Sequence, residues 1–245
     1  MTWTFAGDCH WIDQTDQIEH PRTGAKLPGL AFCGAQLGPV VSWNPGETRS
    51  VATAFYPDAF SAMTGLDLSP FTGRMVPAED VLPQPILQPC RNLFASVERN
   101  GVESGLSAFE EQIGTLWAGV RPDGFRPIRW VKDWGRSIAL KATLSGSGRS
   151  ARQVARRIKS WTGVSERDLR GIGHSEQLYA TLHEAIQSGD VDWAELAAAA
   201  GFADQPHMIR QMRRSSGFTP EQLRQRARDD EAFWGYRLLG EYFEK

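Results

Sequence analysis

The sequence predicts an α+β protein of two domains, a strand-rich N-terminal one and an all-helical C-terminal one. Three observations carry that reading. Short apolar runs separated by Gly and Pro fill the first hundred residues. Beyond residue 128 the apolar positions recur at three- and four-residue spacing. The two halves also carry opposite net charge. With 245 residues, 41% of them hydrophobic, the chain can build two cores of ordinary size.

In the first domain, 1–120, the runs 29–32, 38–43 and 51–56 read as strands, and 57–63 as a short helix. Residues 69–73 read as a loop, and Pro83, Pro85 and Pro89 argue against any long regular element in the passage that follows. From 106 to 120 the apolar side chains of Phe109, Ile113, Leu116 and Trp117 fall on one helical face and close the domain. Residues 121–127, with two prolines, a glycine and no periodicity, read as a linker. Helices are expected over 128–144, 151–161, 166–187, 193–200, 205–215 and 221–227 in the second domain, 128–245.

Charge separates these halves more than the total of −2 suggests. Residues 1–120 hold 6 Lys+Arg against 13 Asp+Glu, while 121–228 hold 19 against 11. The basic half is suited to a polyanionic partner. No uncharged apolar run reaches the ~18 residues of a membrane span, and the N-terminus lacks the pattern of a signal peptide, so the expectation is a cytoplasmic protein without a membrane partner. Cys9, Cys33 and Cys90 are widely spaced with no C-x-x-C pair and read as ordinary thiols.

The segment 192–224 carries the most specific local pattern. Asp192 is a suitable N-cap, and Trp193, Leu196, Ala197 and Ala200 form one buried stripe. Gly201 permits the left-handed stop, and Asp204 can cap the next helix with Pro206 in its first turn. On that helix Met208, Ile209 and Met212 point inward, leaving Pro206, Arg210, Arg213 and Arg214 outward. A weaker copy lies about fifty residues upstream. Ser150 caps a helix whose Ala151, Val154, Ile158 and Trp161 face inward, while Arg152, Arg156 and Lys159 form a basic stripe flanked by Arg149, Gln153 and Arg157. The turns marked by Gly148 and Gly201 and the second turns 162–165 and 216–219 repeat each other. The helix between the copies, 166–187, is roughly 33 Å long at 1.5 Å per residue, close to one turn of B-DNA.

The stretch from Leu196 through Gly201, Phe202, Asp204, Pro206 and Arg210 to Gly217-Phe218-Thr219-Pro220 resembles the signature of the AraC/XylS transcription regulators, and the likeness covers about residues 128–226. It implies two helix-turn-helix units joined by a long helix, preceded by a cupin-like β-sandwich or barrel; the run 54–66 followed by 73–77 resembles the end of such sensor domains. It implies base-edge readers at Gln205, Pro206, His207 and Arg210 in one unit and at Arg152, Ala155 and Arg156 in the other. Arg157, Lys159, Arg213 and Arg214 would then meet phosphates. The partners so implied are double-stranded operator DNA, RNA polymerase, a small-molecule effector and a second copy of the chain, with no cofactor and no catalysis. Three features depart from the family pattern: Gly146 in the first leading helix, Gly171 and Gly173 in the connecting helix, and Pro206 where a hydrogen-bonding residue is common.

Three rival readings are weaker. A metallo-enzyme of cupin type needs clustered histidines and a carboxylate, but the first domain offers only His10 and His20; His174 and His183 fall on the connecting helix. A self-methylating repair regulator needs a four-cysteine zinc site. An interaction module without DNA would not require the basic helix faces. Trp3, Trp11, Trp43, Phe32 and Phe55 are candidate walls of an effector cavity, against the plainer alternative that they are core.

Overall fold

The structure is a computed structural model that describes residues 1–12, 24–146, 150–188, 191–233 and 235–236. The fold is α+β. Packing divides it into two compact units, one of Met1–Gln36, Val40–Pro127 and Ala142–Ser165, the other of Leu37–Pro39, Ile128–Lys141 and Glu166–Lys245. The segment 121–127 is exposed and without regular structure. Residues 142–165 group by packing with the N-terminal elements, where the sequence sets them with the helical half.

Among the described residues of the first unit, seven short strands form two small antiparallel sheets. These are β1 (Thr2–Ala6), β2 (His10–Ile12), β3 (Ala25–Lys26), β4 (Leu30–Cys33), β5 (Val41–Trp43), β6 (Arg49–Ala52) and β7 (Met75–Pro77), in the orders β6-β1-β4-β7 and β3-β2-β5. The strand expected over 51–56 lies earlier, because the chain leaves the sheet after Ala52 and Pro57 opens α1 (Pro57–Thr64). Trp3 pairs with both Leu30 and Val51, and its ring is wholly buried. Its indole N–H donates to the Cys90 carbonyl at 2.8 Å, and Phe109 meets it edge-on at 5.2 Å. Trp3 is therefore a core residue with its polar atom satisfied.

The prolines between 83 and 89 do not exclude a helix. They begin one: α2 runs Gln84–Asn100, with Pro85 in its first turn, where a missing N–H costs nothing. Only Pro89 removes an interior bond, and it is buried with Ile86, Leu87, Cys90, Leu93 and Val97 on one stripe. Burial of that stripe outweighs one lost hydrogen bond. Gly101, at φ +83°, turns the chain into α3 (Val102–Val120), which begins four residues before the expected start and packs along α2.

The remaining helices are α4 (Val131–Leu144), α5 (Ala151–Thr162), α6 (Glu166–Ser188), α7 (Trp193–Ala199), α8 (Gln205–Ser216) and α9 (Pro220–Asp229). Each lies within a few residues of its expected bounds. In the second unit α7, α8 and α9 all pack on α6, around fully buried Leu178, Met208, Met212 and Leu223. Gly173 has a packing reason to stand within α6. A Cβ there would stand 3.0 Å from the Lys132 Cα, so the glycine lets the α4 backbone approach. Glu176, one turn on, accepts the Val131 N–H at 2.7 Å and so occupies a free donor at the start of α4. Burial pushes the Glu176 carboxyl above its ordinary range. No described helix is long and apolar enough to cross a membrane.

Gly105 is the close-contact point of the α2–α3 pair: a Cβ there would meet Val97 Cγ2 at 2.6 Å and Leu93 Cδ1 at 3.3 Å. Gly105→Leu is expected to destabilise the protein by about 1–3 kcal/mol through overpacking. Gly114→Ala on the same helix, where nothing lies within 4 Å of the new carbon, should instead stabilise it by up to about 1 kcal/mol. Urea denaturation midpoints of the two variants check both signs.

Candidate nucleic-acid interface

The best-formed unit is built from its caps inward. The Asp192 carboxylate accepts from the N–H groups of Ala194 (2.8 Å) and Glu195 (3.1 Å), starting α7. Leu196, Ala197 and Ala200 are buried and Trp193 half-buried, as the stripe predicts. Gly201 then takes φ +79° with open space around its missing Cβ, so backbone conformation alone requires the glycine. Asp204 accepts the His207 N–H at 2.6 Å and starts α8. Burying Met208 and Met212 contributes about 1.5–3 kcal/mol each and fixes the roll of α8.

That roll decides what faces outward. Pro206, His207, Arg210, Arg213 and Arg214 are exposed, and Gln205 is half-buried. Arg214 reaches back to Asp168 on α6 at 3.1 Å, so its charge is shared with that carboxylate. Two polar ties fasten the inner side. Gln211 donates to the Gly171 carbonyl (3.2 Å) and to Ser175 Oγ (3.0 Å), and Tyr179 Oη lies 3.1 Å from Ser215 Oγ. Among the described residues, the only atom close to a Cβ position at Gly171 is Gln211 Nε2, at an ordinary 3.5 Å. The His207 ring rests edge-on against Phe202, whose other neighbour is His174. Burial, and then the nearby charges of Lys132, His207 and Arg170, hold the His174 imidazole below its usual range.

Upstream, α5 has a complete capping box: Ser150 Oγ accepts the Gln153 N–H, and Gln153 Oε1 accepts the Ser150 N–H. Gln153 is therefore exposed but partly committed to the cap. Ile158 is buried and Val154 and Trp161 half-buried, whereas Ala151, expected inward, is exposed in the first turn. Arg152, Ala155, Arg156 and Lys159 share the exposed side. Arg157 turns the other way. Its Nη1 donates to the Ala142 carbonyl at 3.0 Å, and its guanidinium fills the space beside Gly146. Gly146 takes φ +83° after α4 has ended, so it marks the turn and does not interrupt a helix. Gly148 and Arg149 lie outside the described residues, as does His20. Among the described residues no ion pair neutralises Arg152, Arg156, Arg210 or Arg213.

The C-terminal end of α5 is fastened to the N-terminal elements by contacts that no local pattern announces. The Leu68 N–H donates to the Ser160 carbonyl at 2.8 Å, and the Thr72 hydroxyl donates to the Gly163 carbonyl. Hydrogen bonds from Ser69 hold the Asp67 carboxyl below the usual range, and the Ser160 hydroxyl and the Lys159 charge act in the same direction. The ionised form is thus favoured in the folded chain, a contribution present above the ordinary aspartate range and lost as pH falls through it.

Elsewhere the candidates for other chemistry are dispersed. Among the described residues no group of three His, Cys, Asp or Glu is placed to hold a metal ion. Cys9, Cys33 and Cys90 are free thiols, and burial pushes that of Cys90 up to about 12. Trp43 packs against His10 in the three-stranded sheet, away from the apolar cavity walled by Phe32 and Phe55. No family model matches the chain, and none of the curated proteins or solved structures does.

Because Asp204 supplies the side-chain cap at the start of α8, Asp204→Ala should cost about 1 kcal/mol of stability. The loss should concentrate in α8. Amide exchange at His207 and Met208 faster than in the unsubstituted chain, with α2 unchanged, is the expected pattern.

Proposed function

We propose that the chain is a sequence-specific, non-catalytic DNA-binding regulator of transcription of the AraC/XylS type, working in the bacterial cytoplasm with RNA polymerase. One observation carries the reading. On a glycine-turned helix pair, α8 presents His207, Arg210 and Arg213 to solvent while Met208 and Met212 hold it from behind. A helix supported along its inner face and cationic along its outer one suits the major groove, and its first turn exposes Pro206 and His207. The basic side of α5 supports a second reading helix. The 23 residues of α6, about 35 Å at 1.5 Å per residue, match two half-sites one helical turn apart.

The finer parts of the proposal follow from the same resemblance. The small sheets of the first unit are a reduced cupin-like sandwich, which receives an effector and pairs two copies of the chain. In the interface Arg152, Ala155, Arg156, Gln205, Pro206, His207 and Arg210 read bases, Pro206 by van der Waals contact with a thymine methyl. Lys159, Arg213 and Arg214 grip phosphates.

Selection from a randomised duplex library tests the reading directly. It should enrich two half-sites about 10 base pairs apart. On the selected site Arg156→Ala and Arg210→Ala should each cost about 1–3 kcal/mol and relax preference at one position. Equal binding by wild type and both variants, or enrichment of no sequence, would overturn it. Arg213→Ala should weaken binding to all duplexes and flatten the salt slope by about one, as measured by titration at several salt concentrations.

A further inference from the structure

Within the first unit, a half-open cavity of about 450 Å³ lies between the four-stranded sheet, α1 and the C-terminal end of α5. The volume falls in the range of small-molecule sites. Its walls are mostly apolar, and no charged side chain lines it. The aromatic residues form a continuous surface. Phe32 stacks on Phe60 at 5.4 Å with an interplanar angle of 10°, and Phe55 leans on Phe60 at 5.2 Å. The polar groups are few: the Met1 α-amino group, which donates to the Thr53 carbonyl at 2.9 Å and which burial holds below the ordinary amine range, the Cys33 thiol, which accepts from Gln36 Nε2, and the hydroxyls of Thr2, Thr53 and Thr162. The Thr162 hydroxyl is already engaged with the Ile158 and Val164 carbonyls and the Val164 N–H. A site of this composition rewards area and ring contact over charge.

Two lining residues give the cavity reach beyond itself. Thr162 is the last residue of α5, and Leu68 is the residue whose N–H holds the Ser160 carbonyl. The adjoining Gly163 is left-handed, with the Leu68 carbonyl, Thr72 Oγ1 and Ala35 Cβ all within 3.6 Å of its missing Cβ. Any molecule seated against Phe60 and Leu68 touches the attachment of a helix whose other end carries Arg152 and Arg156.

We propose that this cavity binds an uncharged, largely apolar small molecule bearing a flat ring, and that its occupancy alters how the end of α5 is held on the N-terminal elements. This rests on the reading of the first unit as a sensor, and it supplies the class of effector and the route of its action. By linkage, a ligand that favours one placement of α5 changes DNA affinity only as far as it distinguishes the two placements.

The test uses the full chain without DNA, so its failure is distinct from failure of the DNA-binding reading. N-phenyl-1-naphthylamine, a neutral fluorescent arylamine, should bind at one saturable site with blue-shifted emission. Ala54→Trp and Ala35→Phe, which fill the cavity from its exposed mouth and from beside Gly163, should each weaken binding at least about tenfold while keeping the wild-type melting temperature. A sulfonated analogue, anilinonaphthalene sulfonate, should bind less tightly. Bound arylamine should also change amide exchange at Leu68 and over 159–164. Absence of saturable binding, or binding unaltered in whichever variant keeps the melting temperature, overturns the site. Equal affinity for the sulfonated analogue overturns the uncharged class, and binding with exchange unchanged over 159–164 overturns the link to α5.

Discussion

The packing of α7, α8 and α9 around Leu178 of α6 is the constraint on which the placement of the exposed cations depends. An isolated helix of α8's length, 12 residues, is marginal in water. It holds its shape because Met208 and Met212 lose water against that cluster, and because Gln211 and Ser215 are tied to α6. Fixing the inner face leaves the outer one no choice: Arg210 and Arg213 must face solvent. The polar ties add direction to a burial term that has none, since Met side chains alone tolerate several arrangements.

The two basic helices reach their exposure by different means. α8 is seated within a helical cluster of its own unit. α5 is held at its C-terminal end by Leu68 and Thr72, backbone and hydroxyl groups of the chain segment after α1, and at its middle by Arg157 on the Ala142 carbonyl. An arginine on the basic stretch is thereby spent on structure, and Gln153 closes the capping box. The free cations of α5 reduce to Arg152, Arg156 and Lys159, the last under the influence of Asp67. Sequence composition overstates the charge that α5 offers a polyanion.

What was legible in the sequence was local. Ser150, Asp192 and Asp204 act as caps because each needs only the next three residues, and the left-handed glycine at 201 needs only its own backbone. The α2 helix was hidden by the same locality. Proline was read as a breaker without regard to position, although Pro85 stands in the first turn and the buried stripe from Ile86 to Val97 has helical period. Contacts such as Leu68 to Ser160 or Gln211 to Ser175 span tens of residues and leave no periodic trace. The grouping of 142–165 with the N-terminal elements therefore could not be read from pattern. Gly173 shows a subtler failure. Propensity counts it as a cost, and the structure shows the approach of Lys132 that the cost permits.

The aromatic side chains divide by whether their surroundings close over them. Trp3 has its indole N–H bonded and its ring enclosed, so nothing remains for a ligand to replace. Phe55 is only half-buried, and with Phe32 and Phe60 it faces the open apolar cavity. Water gains little against such walls, because they offer few hydrogen bonds. The folded chain thus keeps apolar surface that it has not buried, beside the attachment of the C-terminal end of α5. A molecule that buries this surface adds its binding free energy to whichever placement of the helix leaves the cavity open.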